Sequence, residues 1–397
     1  MCDGRNMKKV LLVTTVSGFV PQFEMNNVCI LQGMGFEVHY ASNYNMPSYG
    51  TDNHRLDGTG IIRHQIDFVR SPFKRENLTV YRQLKDLMRD EKFELVHCHT
   101  PMGGVMARLA AHATGTRPVI YTAHGFHFFK GAPLKNWLFY YPVEKFLSRY
   151  TEQQICMNQE DYKRAQKKFH AKYVDYIPGV GIDLSNIIPV TEERRKRKRQ
   201  ELGIADEKKV LLSVGELIKR KNHETVIKAI AGLRDDNIIY VICGHGELEG
   251  NLKRLAENLN VENQVFFLGY REDIYEIYSI ADIFIFPSFQ EGLPRALLEA
   301  MASGLPVICS GVRGSCDLMM DIPEKLNEKG LQICEGGIIV ERADDTEKYE
   351  KAIQYMMTHT SVLGTMGKYN LNRAKKFGID KVGHIMKQIY ERLLITS

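Results

Sequence analysis

Phe286-Pro-Ser-Phe-Gln-Glu-Gly-Leu-Pro-Arg-Ala-Leu-Leu-Glu-Ala-Met-Ala-Ser-Gly304 is the stretch that decides the fold class. The apolar run Ile283 to Pro287 leading into it ends in Pro-Ser, as a buried parallel strand would. Pro294 then stands where a helix accepts a proline at its first position. Residues 294–303 are helical in composition, Gly304 is a C-terminal cap, and Pro306 to Cys309 is the next apolar strand, so the unit is strand, tight loop, helix, strand. The amides of Gly292, Leu293, Arg295, Ala296 and Leu297 include the donors a helix start cannot satisfy internally; Pro294 has none. With the positive end of the helix dipole they suit a phosphate, and Gly292 lets that anion come close. Glu299 is the odd residue among Ala296, Leu297, Leu298, Ala300, Met301 and Ala302, because a carboxylate on so apolar a helix needs partners. Ribose or hexose hydroxyls are suitable donors, and Glu291 on the loop could take a second set. The plainer alternative has Glu299 capping a neighbouring loop and Glu291 solvated.

The same scheme extends in both directions. In the first half, Val10 to Thr14, Glu37 to Ser42, Leu95 to His97, Val119 to Thr122 and Gln154 to Met157 read as strands. Phe23 to Met34, Val80 to Glu91, Gly103 to Ala113 and Glu160 to Phe169 read as the helices between them. In the second half, Val210 to Val214, Ile238 to Cys243, Val265 to Leu268, Ile283 to Phe286 and Val307 to Cys309 alternate with helices at His223 to Leu233, Leu248 to Leu259 and Ile274 to Ile280. The pattern predicts an α/β chain of two Rossmann-like domains. Tyr176-Ile-Pro-Gly-Val-Gly-Ile-Asp183 reads as the hinge between them, with the boundary near Leu184. Ligands of such sheets collect at the carboxyl ends of strands, which singles out Thr15 to Phe19, His97 to Thr100 and Ala123 to His127.

A chain of 397 residues exceeds what one core usually serves, in keeping with two domains. Hydrophobic content of 44% with 25% charged residues is that of an ordinary globular protein, which argues against disorder. The net charge of +5 is mild, and much of the excess sits in Arg194-Arg-Lys-Arg-Lys-Arg199. That run reads as a solvated helix face rather than a nucleic-acid patch, so no nucleic-acid partner is expected; attraction to anionic lipid is its functional version. The eight cysteines form no Cys-x-x-Cys pair and read as reduced core residues. No segment reaches eighteen uninterrupted apolar residues, and the start has no signal-peptide core, so a cytoplasmic protein is expected. Met7 resembles the true start, with residues 1–6 an extension. No Gly-x-Gly-x-x-Gly follows the first strand and no Gly-x-x-x-x-Gly-Lys-Ser occurs, which disfavours dinucleotide oxidoreductases and P-loop enzymes.

Five motifs in order carry a family resemblance: Ile177-Pro-Gly-Val-Gly-Ile-Asp183, Val214-Gly-Glu-Leu-Ile-Lys-Arg-Lys-Asn222, Gly244-His-Gly246, Gly269-Tyr-Arg271 and Glu291-x7-Glu299. Together they resemble the family 4 retaining glycosyltransferases of the GT-B fold, nearest the branch that builds bacterial exopolysaccharide and capsule units on a lipid carrier. The resemblance implies two Rossmann-like domains facing across a cleft. An acceptor-binding domain would span residues 1–184 plus a crossover helix at 375–397, and a donor-binding domain residues 185–374. It implies that Glu291 contacts the donor sugar, Glu299 the ribose and Lys221 the pyrophosphate, with His124 against the sugar and Gly18 on a loop that lets the first domain approach the phosphates. Gly292, Leu293, Pro294, Arg295, Ala296, Gly244, Tyr270 and Arg220 complete the donor set. Where most relatives have an Arg straight after the first Gly, this chain has Glu216, and Lys219 or Arg220 is available to replace it. His97, His99 and His127 fall near the same loops. Two histidines at i and i+2 suggest a metal, yet no acidic or cysteine partner at a zinc-type spacing accompanies them, and the resemblance implies no cofactor and no metal.

The implied reaction moves a hexosyl or N-acetylhexosaminyl group from a nucleoside diphosphate sugar, a UDP-sugar by resemblance, to a polyprenyl-diphosphate-linked saccharide at the inner face of the plasma membrane. Phe126, Phe128, Phe129, Trp137, Phe139, Tyr140 and Tyr141 with Lys130 and Lys135 read either as a membrane-docking cluster or as a buried helix. A GT-B nucleotide-sugar epimerase, a glucan polymerase and a non-catalytic nucleotide-sugar-binding protein are the rival readings.

Overall fold

Seven parallel strands make the first sheet: β1 (Lys8–Val16), β2 (Phe36–Asn43), β3 (Ile62–Gln65), β4 (Leu95–His99), β5 (Val119–Ala123), β6 (Gln153–Cys156) and β7 (Tyr173–Tyr176), in the order β3-β2-β1-β4-β5-β6-β7. The computed structural model describes residues 7–49, 52–188, 190–320 and 330–395; the expected extension at residues 1–6 lies outside them. Val10 to Val13 on the central strand are fully buried because helices cover both faces of a parallel sheet. The order reverses between β1 and β4, which opens a crevice at the carboxyl ends of those two strands.

The second sheet repeats the plan with β8 (Lys209–Val214), β9 (Ile238–Cys243), β10 (Val265–Gly269), β11 (Ile283–Phe286), β12 (Val307–Ser310), β13 (Leu331–Cys334) and β14 (Gly337–Val340). The order is β10-β9-β8-β11-β12-β14-β13, parallel except for the antiparallel β13–β14 pair, and the switch point falls between β8 and β11. The edge strands β3, β7 and β13, and β14 inside β13, were not expected. β3 and β7 contain no fully buried residue, and β14 is a four-residue apolar run behind Gly336-Gly337, too short for a periodic signal.

Contacts divide the chain into two units, cut after Gly181 and after Gly378. The cut lies three residues before the expected Leu184. The short helix Leu184–Asn186, capped by Asp183, begins the second unit, and Leu184 and Ile187 pack against its core. The return to the first unit starts at Ile379 rather than 375, because Ala374 and Phe377 are still buried in the second core. Helix Ile379–Ile395 buries Val382, Met386, Ile389, Tyr390 and Leu393 against β1 and β2 residues of the first unit.

The basic run corrects its expectation. In helix Glu192–Glu201, Arg199 is 2% exposed, and it donates to the carbonyls of Ile280, Asp206 and Lys208 and to the Asp282 carboxylate. Lys198 pairs with Asp273 and Glu201, and Arg195 with Asp282. Arg194, Lys196 and Arg197 stay exposed. Half of the charge therefore fastens this helix to Ile274–Ile280, and a sequence run does not show which side of a helix is covered.

Candidate active site

At the switch point of the second unit, the loop after β8 meets the loop after β11. Asn222, in a left-handed conformation, joins them by donating to the carbonyls of Pro287 and Ala343, and the amide of Phe289 donates to the carbonyl of Arg220. This fixes the cations ahead of Asn222 beside Glu291. Lys221 Nζ donates to Glu291 Oε1 at 2.7 Å and Arg220 Nη1 to the same oxygen at 3.0 Å. Burial alone would push the Glu291 carboxyl up, but the two cations outweigh it and hold it below its ordinary 4.5. Burial also lowers Lys221 from its ordinary 10.5, with Glu291 opposing. A carboxylate and a cation thus share one buried spot, each able to turn to a ligand of opposite demand.

Helix Arg295–Ala302 starts beside them. Pro294 is its N-cap rather than its first helical residue, no side chain caps it, and its first turn holds no acid, so its leading amides face outward as anion donors. Glu299 is buried and accepts from Arg295 Nε at 2.8 Å and from Tyr278 Oη at 3.2 Å. The partners it needs are therefore partly supplied by the protein, and it caps no loop. Behind the loop, a Cβ on Gly314 would lie 2.0 Å from the Gly292 carbonyl oxygen, and Arg313 donates to the carbonyl of Glu291. Both residues were missed, although Gly311-Val-Arg-Gly314 directly after β12 carried the glycine signal of a tight loop.

The neighbouring loops are laced together. The amide of Gly244 donates to the carbonyl of Gly269, and that of Leu217 to the carbonyl of His245. Gly244, at φ 143°, approaches so closely that a Cβ would stand 2.0 Å from the Gly215 carbonyl oxygen. Tyr270 is exposed and its amide donates to His245 Nε2, while Arg271 donates to Asp273. Glu216 and Lys219 are exposed; of the two expected replacements, Arg220 is the one that reaches Glu291.

In the first unit, the switch point gathers His99 at the end of β4, His124 just after β5, and Glu24. The expected helix over 23–34 instead begins at Phe19 and breaks at Glu24, between helices Phe19–Phe23 and Met25–Gly33. The break turns the Glu24 carboxylate inward, where it is 1% exposed, with Oε1 lying 3.5 Å from His99 Nδ1 and 3.4 Å from His124 Nε2. The two ring nitrogens are 3.2 Å apart. Burial pushes the Glu24 carboxyl up to about 8 and His124 down to about 3, and it lowers His99 as well. The acidic partner judged absent from the sequence spacing is thus supplied by the fold. Thr100, at φ 62° and ψ 151°, adds the backbone strain common at functional sites. At Gly18 a Cβ would meet the carbonyl oxygens of Ser48 and Pro47 at 1.8 and 2.3 Å, so the chain's own backbone approaches closely there.

Two family models match, glycosyl transferases group 1 over residues 194–370 and glycosyl transferase 4-like over residues 9–159. The putative glycosyltransferase EpsD of Bacillus subtilis is 35% identical over 389 residues, 96% of each chain. The chain belongs to the group 1 glycosyl transferases. This glycosyltransferase is also 31% identical over 252 residues, 60% of its chain and 65% of the relative's, to the Escherichia coli UDP-Gal:alpha-D-GlcNAc-diphosphoundecaprenol alpha-1,3-galactosyltransferase. Its fold is that of Anabaena HepE, solved in complex with UDP, at a TM-score of 0.75 and 18% identity over 98% of this chain and 100% of the other. The two doubly wound sheets are the GT-B architecture.

In this glycosyltransferase the aromatic cluster splits. Phe126 and Phe128 are buried, and Trp137 and Tyr141 pack against the core. Helix Leu134–Leu147 is held by few residues, mainly Glu144, which accepts from the buried Arg108 at 2.8 Å, and Leu147. Its outer side exposes Leu134, Leu138, Phe139, Val143 and Phe146, with Lys130, Lys135 and Arg149 beside them. Among the described residues, no helix is long and apolar enough to cross a membrane.

Proposed function

We propose that this glycosyltransferase moves a hexosyl or N-acetylhexosaminyl group from a UDP-sugar to a hydroxyl of a polyprenyl-diphosphate-linked saccharide, with retained anomeric configuration, for exopolysaccharide or capsule assembly on the cytoplasmic face of the membrane. The Lys221–Glu291 pair beside the uncapped helix start carries the reading. An arriving diphosphate draws Lys221 and the amides of Gly292, Leu293, Arg295 and Ala296 toward its oxygens. Glu291, relieved of that cation, then accepts from sugar hydroxyls. Glu299 takes the ribose hydroxyls, while Gly244, Tyr270, Arg220 and Pro294 shape the donor site. The bond between the anomeric carbon and the diphosphate oxygen breaks with its electron pair on the diphosphate. The acceptor oxygen bonds the same face, and its proton passes to a diphosphate oxygen. Lys221 and the amides supply the positive charge there, so no metal on the pyrophosphate is called for. The E. coli relative is named for a UDP-sugar donor and a diphosphoundecaprenol-linked acceptor, which supports this choice of substrates.

The test is a panel of labelled UDP- and GDP-sugars offered with a lipid-linked acceptor. Acceptor-dependent transfer from a UDP-sugar is expected. Isomerisation without acceptor would mark an epimerase, and UDP binding without turnover a binding protein; either overturns the proposal.

A further inference from the structure

We propose that Glu24, His99 and His124 form a binding site for one divalent cation of the zinc class. The inference goes beyond the function above and needs neither donor nor acceptor. The three donor atoms lie 3.2, 3.4 and 3.5 Å apart, a nearly equilateral triangle. A tetrahedral zinc ion with ligands at about 2.0–2.1 Å holds its donors about 3.3–3.4 Å apart, so the spacing of the three atoms matches that of one such ion. The spacing does not suit direct charge-assisted hydrogen bonds, which would draw an imidazole and a carboxylate to about 2.7–2.9 Å. Glu24 Oε1 is buried and accepts no hydrogen bond, an arrangement that is costly for a carboxylate and relieved by a cation. Its second oxygen is held by Asn27 Nδ2 at 2.6 Å, the outer contact that orients a ligating carboxylate. The partner of His99 within the cluster is fixed, whereas its Nε2 is buried without one, so nothing outside fixes its tautomer; a cation on Nδ1 would. His99 Nδ1 and His124 Nε2 share one hydrogen bond at 3.2 Å, and a bound cation would take the place of its proton.

Glu24 and His99 are enclosed, and His124, with 23% of its side chain exposed, is the open corner. Three protein ligands leave a fourth position there for a water or a hydroxyl oxygen, the pattern of zinc sites that meet a substrate rather than purely structural ones. Lys221 and Glu291 belong to the other unit and take no part.

The full-length protein, stripped with a chelator, is titrated with Co(II) and then Zn(II), without any sugar nucleotide. One equivalent of Co(II) should give the intense visible bands of tetrahedral coordination, and Zn(II) should displace it. Glu24→Gln and His124→Gln should each weaken binding at least about tenfold, while His64→Gln, in the separate His39–His64 pair whose ring nitrogens lie 2.8 Å apart, leaves it unchanged. Far-UV circular dichroism checks that the variants fold; if Glu24→Gln does not, His124→Gln at the open corner decides. No tetrahedral band in the wild type, or an equal band in the folded variants, overturns the proposal. A protein that binds cobalt yet transfers no sugar would refute the assigned function and leave this site standing.

Discussion

Glu291 is where charge and burial oppose each other most directly in the second unit. Lys221 and Arg220 both reach one of its oxygens, so Glu291→Gln keeps the shape and removes the charge that positions them. Transfer should fall by about 100-fold or more, the scale of losing one electrostatic contact to a transition state; near-normal turnover by the folded variant would sink the assigned role. The same residue sets an acid limit. Its folded carboxyl sits below the ordinary 4.5, so the stability it lends is fully present above that value and is lost as pH falls through the lowered one. Thermal melts of the wild type should therefore weaken below about pH 4 more steeply than those of Glu291→Gln. At this scale the sequence was readable in part. Glu291, Lys221 and His124 stood out beside glycine-rich loops, whereas Glu24 did not, because an acid in a mostly apolar helix-like stretch shows no sign of where the helix will break.

Elements decide how the loops are held. The turn after β9 comes within contact of the turn after β8 through Gly244, where a Cβ would collide with a backbone carbonyl that has no room to move. Gly244→Ala should cost about 1–3 kcal/mol or more, read as a lower midpoint of urea unfolding; an unchanged midpoint would show that the loops can separate freely. Helix Leu134–Leu147 presents the opposite case, an element held by few residues with an apolar side left bare. Leu138 and Phe139 are 64% and 62% exposed, and basic residues flank them, as suits a surface that meets anionic lipid. Changing both to Ser should leave the melting temperature nearly unaltered and weaken sedimentation with anionic vesicles; unchanged sedimentation would remove this helix as the contact. Phe128, by contrast, is fully buried, and its loss would test folding instead. Composition alone could not separate these aromatics, since helix packing rather than residue type sorted them into core and surface.

For the whole molecule, the helix Ile379–Ile395 is the consequential connection, since the last segment of the chain completes the first unit. Its five buried apolar residues, at about 1.5–3 kcal/mol each, approach the whole stability of a typical domain, about 5–15 kcal/mol. Ending the chain after Gly378 should strip hydrogen-exchange protection from residues 7–181 while residues 182–378 keep theirs; retained protection in both would show the helix to be dispensable. The sequence by itself determined the alternation of strands and helices, the two-unit plan and the strand–loop–helix unit around Glu291, because those are written in local periodicity, proline and glycine placement and short motifs. Only the tertiary structure decided which charges were spent on packing, as with Arg199 on Asp282, and which aromatics stayed outside. It alone brought Glu24 to two histidines at the ends of β4 and β5. Such meetings depend on strand order and on the two faces of a sheet, and no spacing along the chain encodes a distance between residues 24, 99 and 124.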